Sequence, residues 1–132
     1  MEWDTLRAAL DRIIPPDDFP GAWDAGVGDY IARQLDGDLR AWAGAFEAGL
    51  RSLDAEARRT GAPFAALPTT RQDALLGCIE RGEVRTKWST APDAFFARLV
   101  QLTAEGYYGD PGNGGNRDEA AWRMVGYSTG TD

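Results

Sequence analysis

The side chains in this sequence that are equipped to do chemistry are carboxylates and tyrosines. There is no histidine, one cysteine (Cys78) and one lysine (Lys87). A histidine general base, Ser-His-Asp or Cys-His catalysis and histidine-ligated zinc or haem are therefore excluded within the chain. Adjacent Asp17 and Asp18 form a carboxylate pair, but neighbouring acids beside prolines and ahead of a helix are better placed to cap free amides or to sit in water. A carboxylate mechanism needs two groups that converge in one pocket with separated acidities. The positions of Asp17, Asp18 and Asp110 along the chain give no sign of that.

The run Gly112-Asn113-Gly114-Gly115-Asn116-Arg117 suggests a phosphate cradle, since amides of glycine-rich turns at helix starts bind anions. The detail does not fit. The run lacks the third glycine of a dinucleotide fingerprint and follows a helix rather than a strand, and the only lysine lies elsewhere, so a phosphate-binding GK[S/T] loop is absent. A calcium loop counted from Asp110 would place Gly112 and Gly114 at its third and fifth positions and Ala121 at its twelfth, where oxygen ligands are required. Cys78 falls in an apolar stripe, which predicts a buried, inert thiol. Arg58-Arg59 lies inside a helical pattern rather than ahead of an apolar leader, so it is not an export signal.

The functional reading that competes with a purely structural one concerns the aromatic residues near the C-terminus. Tyr107, Tyr108, Trp122, Arg123 and Tyr127 combine large apolar area with polar tips, the mixture most enriched at interface hot spots. With Asn113 and Asn116 they are the candidate partner-interface residues. No catalytic, metal or cofactor-binding residue is expected.

These residues must be carried by helices, because no stretch alternates with period two. Leu6, Leu10, Ile13 and Ile14 predict a helix over 3–14, stopped by Pro15-Pro16. A second is expected over 22–35, weakened by Gly26 and Gly28. Leu39, Trp42, Phe46, Leu50, Leu53 and Ala57 mark a long third over 38–59, ended by Gly61 and Pro63. A fourth is predicted to start at a capping box of Thr70 and Asp73 and to stop at Gly82. A fifth follows a second box, Thr90 and Asp93, and closes at Gly106. The fold class is all-α: a bundle of about five helices over 1–105 forming one domain with a structured glycine- and aromatic-rich tail over 106–132, which includes a short helix near 119–124.

The chain has 132 residues, a size for one domain, with 14 basic and 21 acidic residues and a net charge of −7. Both halves are negative and no basic stripe is visible, which disfavours nucleic acid as a partner. Seven of the 16 glycines fall in 101–132, but the four aromatic residues there argue for structure rather than a linker. No apolar run is long enough to insert in a membrane. A lone cysteine leaves the redox compartment open. The acidic start lacks the regions of a signal peptide, so the chain as it stands reads as cytoplasmic, or as exported if an export leader has been removed.

Leu10-Asp11-Arg12-Ile13-Ile14-Pro15-Pro16-Asp17-Asp18, Pro20-Gly21-Ala22 and Ala25-Gly26-Val27 resemble the opening of the gluconate 2-dehydrogenase subunit 3 family. The resemblance continues through Gly49-Leu50, Leu53-Asp54, Phe64, Leu67, Phe95-Phe96 and Leu99. It is strongest at Thr103, Gly106-Tyr107-Tyr108, Asp110-Pro111, Gly114-Gly115-Asn116, Trp122 and Gly126-Tyr127. Ser128 stands where a proline is common. The resemblance implies a non-catalytic accessory subunit that supports a flavin-dependent large subunit similar to glucose-methanol-choline oxidoreductases. It implies that FAD resides in that partner and none in this chain, and that a multihaem cytochrome c subunit carries electrons onward in many such complexes. The alternative is a stand-alone helical module that binds a small sugar-like ligand through aromatic faces and asparagine amides.

Overall fold

A computed structural model describes residues 1–109, and these are all-α, with five helices and no strand among the described residues. The glycine run over 112–117, the expected short helix near 119–124 and the candidates Asn113, Asn116, Trp122, Arg123 and Tyr127 lie outside them. Helix α1 (Trp3–Ile13) buries Thr5, Leu6, Ala9 and Leu10 on one face. It stops ahead of Pro15-Pro16, as proline's missing amide and fixed φ require.

Helix α2 (Val27–Asp36) starts five residues later than the expected 22. Residues 22–26 form turns instead, and Gly26 before the helix has φ +92°, in the left-handed region that interrupts a right-handed helix. The expected single helix over 38–59 is a 3₁₀ turn, Arg40–Trp42, running into α3 (Ala43–Arg58). The tighter turn follows Gly37 and Asp38, both poor helix formers. Gly61, at φ +121°, turns the chain after α3, and a second 3₁₀ turn, Phe64–Ala66, follows.

Neither expected capping box forms. Helix α4 (Thr69–Glu80) begins one residue before Thr70, and the Pro68 carbonyl accepts the first amides, from Arg71 and Gln72. Asp73, freed from capping, takes a bidentate pair with Arg12 of α1 at 2.8 and 2.9 Å. Helix α5 (Pro92–Tyr108) is capped at Ala91 with no side-chain bond, and Pro92 occupies its first turn, where a proline loses nothing. Gly106 does not close α5. The helix runs on to Tyr108, and Gly106 sits inside it where α5 meets α2, because a Cβ there would lie 2.8 Å from the Tyr30 ring. Cys78 is half-buried rather than buried, with the Arg81 guanidinium 3.7 Å from Sγ.

Helix α5 runs along α4 and α2, while α1 packs against α3 and the 64–66 turn. The core between them is built from Leu6, Leu10, Ile31, Phe46, Leu50, Leu53, Phe64, Ile79, Phe95, Leu99 and Leu102. At the α3–α5 crossing Gly49 faces Phe95 so closely that a Cβ would fall 2.2 Å from its ring.

Candidate partner interface

The loop after α1 and the end of α5 meet at one end of the bundle. In the loop after α1, Asp17 Oδ1 accepts the Phe19 amide at 2.9 Å, which turns the chain locally and spends one acid of the expected pair. Asp17 and Asp18 are both exposed. Gly21 passes so close to Pro16 and Asp11 that a Cβ would lie 2.8 Å from Pro16 and 2.9 Å from Asp11 Oδ1. Asp11 Oδ1 in turn accepts the Trp23 amide at 3.1 Å. Burial raises the Asp11 carboxyl above its ordinary value, the Trp23 amide opposes that shift, and Asp24 adds to it.

The C-terminal turn of α5 closes on the same loop. Tyr107 is fully buried and its hydroxyl donates to the Pro20 carbonyl at 2.6 Å. Burial first, then neighbouring Tyr108 and Asp17, pushes the Tyr107 hydroxyl up to about 12, so it stays a neutral donor. Tyr108 packs edge-on against it at 5.1 Å and is half-buried, its hydroxyl also raised by burial. Thr103 Oγ1 donates to the Leu99 carbonyl at 2.6 Å, and the Tyr30 hydroxyl reaches Glu105 at 3.3 Å. Of the two interface candidates that the structure describes, Tyr107 thus joins α5 to the loop after α1, and Tyr108 lies beside it where the chain passes into residues 110–132.

Two further junctions hold the other end. Asp54 of α3 accepts the Phe64 amide at 2.8 Å and pairs with Arg58 at 2.7 Å. Glu56, almost fully buried, accepts the amides of Arg85 and Thr86 at 2.7 and 2.9 Å and the Thr86 hydroxyl. Burial alone would raise its pKa, but these hydrogen bonds outweigh burial and hold the carboxyl below its ordinary value. The Trp88 indole N–H, buried without a hydrogen bond of its own, adds a weaker attraction to the same charge. Sequence reasoning passed over Glu56 as one of the acids on the polar side of the third helix. Its signal was spacing: residue 56 shares a face with Gly49 and Leu53 on a 3.6-residue period.

Among the described residues no group of three or more cysteine, aspartate or glutamate side chains is placed to hold a metal ion. No helix among them is long and apolar enough to cross a membrane. Asp11, Asp54, Glu56 and Tyr107 make their bonds to backbone groups of neighbouring elements.

The described residues form an all-α bundle in which Asp11, Asp54, Glu56 and Tyr107 tie neighbouring elements together. A family model, Gluconate 2-dehydrogenase subunit 3, matches residues 1–130, and the chain belongs to that family. Neither the curated proteins nor the solved structures give a match.

Proposed function

We propose that this chain is the non-catalytic small subunit of a flavin-dependent sugar or sugar-acid dehydrogenase, binding and stabilising the large subunit that carries FAD. The observation that supports this most is the match to subunit 3 of gluconate 2-dehydrogenase across residues 1–130. The sequence inventory points the same way: with no histidine in the chain, a base of that type must come from a partner. So does the use of the residues that carry the family resemblance. Asp11, Gly21, Gly49, Asp54, Gly106 and Tyr107 all form close approaches or hydrogen bonds that hold the body together.

The large subunit in this reading is of the glucose-methanol-choline type, with a cytochrome c subunit as a further member of the complex. Tyr107, Tyr108, Asn113, Asn116, Trp122, Arg123 and Tyr127 are the proposed contacts with the large subunit. The test is co-expression of the full chain with a candidate large subunit, a glucose-methanol-choline-type flavoprotein from the same source, followed by co-purification and a flavin spectrum. The expected result is a complex whose flavin resides in the large subunit, while this chain alone is colourless and inactive. Heat released on titrating sugars into the isolated chain would favour the stand-alone sugar-binding reading instead.

A further inference from the structure

Beside the Asp11–Trp23 junction, the outer face of α1 carries side chains, Trp3 and Arg7, that the bonds described above do not use. Its buried face is Thr5, Leu6, Ala9 and Leu10, which leaves Trp3, Asp4, Arg7, Ala8 and Asp11 along the opposite side. Trp3 remains 44% exposed, and its ring is ordered by an edge-to-face contact with Trp23 at 6.2 Å. The Arg7 guanidinium lies over the Trp23 ring, 5.5 Å from its centroid. Two depressions border this stripe. One, of about 260 Å³, lies between Asp4, Arg7, Asp11 and Ala65, and a second, of about 360 Å³, shares Asp4 and Ala65 and continues to Glu2 and Arg58.

We infer that this face of α1 is a docking surface for a segment of the large subunit that presents arginine or lysine side chains around an apolar contact. Tryptophan and arginine are the residue types that dominate interface energetics, and here both are held in place before binding, which lowers the entropy lost on association. The rim decides the partner's charge. Asp4 and Asp11 line one depression with Arg7, Glu2, Asp4 and Asp54 line the other with Arg58, and Asp24 lines a third with Trp23, so carboxylates outnumber cations along this face. Such a rim steers a basic partner and repels an acidic one. A second copy of this chain would bring the same carboxylates to the same place.

The inference rests on the accessory-subunit reading, and its test separates the two. The large subunit is purified and its affinity for the full-length wild-type chain is compared with that for Trp3→Ala, for the double variant Asp4→Arg/Asp24→Arg, and for Arg51→Ala on the exposed side of α3. Trp3→Ala is expected to weaken binding about tenfold or more. The double charge reversal is expected to weaken it comparably and to remove most of its salt dependence, and Arg51→Ala to stay within about twofold. Melting curves establish that each variant folds, and the charge reversal carries the test should Trp3→Ala unfold. A complex formed equally well by all variants would overturn the α1 surface and leave the accessory reading standing. Absence of any complex with the wild-type chain would overturn both, and wild-type self-association abolished by the same changes would assign the face to a second copy instead.

Discussion

Two glycines of α3 show how a single residue's surroundings decide the sign of one substitution. Replacing a helical glycine by alanine gains roughly 0.5–1 kcal/mol from backbone entropy where nothing opposes it. At Gly44 nothing lies within 4 Å of the added Cβ, so Gly44→Ala should raise stability by about that amount. At Gly49 the same methyl meets the buried Phe95 ring, and the overpacking outweighs the gain. Gly49→Ala should destabilise by about 1–3 kcal/mol, read as opposite shifts in denaturant midpoint for the two variants. Glu56 sets an acid limit. Its folded pKa lies below the ordinary 4.5, so its stabilising contribution is present above that value and is lost as pH falls through the folded one. Glu56→Gln should therefore be less stable than wild type at neutral pH, by about 1–3 kcal/mol for weakened bonds to the buried amides, with the gap closing as the medium is acidified. Chemical denaturation at a series of pH values from 7 to about 3 checks this.

At the level of elements, what was legible in the sequence was the set of helices and their apolar stripes. The spacing of Leu6 and Leu10, of Phe46, Leu50 and Leu53, and of Phe95, Leu99 and Leu102 maps directly onto the buried faces. The starts were harder to read, for physical reasons. Thr70 and Asp73 have the right types for a capping box, yet the Pro68 carbonyl begins α4 earlier and Arg12, 61 residues away in sequence, claims the carboxylate. Gly106 looks like a terminator until α2 is placed beside it, since a glycine that permits close helix packing and one that ends a helix are the same letter. Gly26 is the converse, a mild helix weakener on propensity but a left-handed residue in the fold. Gly26→Ala should cost about 1–2 kcal/mol and loosen the first turn of α2, seen as faster amide exchange at its start. Tyr107→Phe removes the bond that ties α5 to Pro20, at a cost of about 1 kcal/mol. Because the folded Tyr107 pKa is raised from 10 to about 12, its contribution holds below pH 10 and is lost as pH rises through about 12. Wild type should thus lose stability on alkaline titration more steeply than Tyr107→Phe, which thermal melts between pH 8 and about 11 would show.

For the whole molecule, part of the candidate site was legible and part was not. Tyr107 and Tyr108 stand out in the sequence by composition, but composition does not distinguish an aromatic ring that pins the chain to itself from one that meets a partner. Within the described residues the Tyr107 hydroxyl donates to the Pro20 carbonyl. The face of α1 left no trace in the residue inventory, because Trp3, Arg7 and Trp23 come together only once the loop folds back along the helix. The chain belongs to the gluconate 2-dehydrogenase subunit 3 family, and the central claim proposed for it is that it joins a complex rather than catalysing. That claim is tested most directly by purifying the full chain with and without a glucose-methanol-choline-type flavoprotein from the same source and measuring flavin content and sugar-dependent reduction of an electron acceptor in each. The predicted result is a stable complex with flavin and activity, and an isolated chain with neither. Stoichiometric flavin on the isolated chain, or turnover of a sugar by it alone, would contradict it.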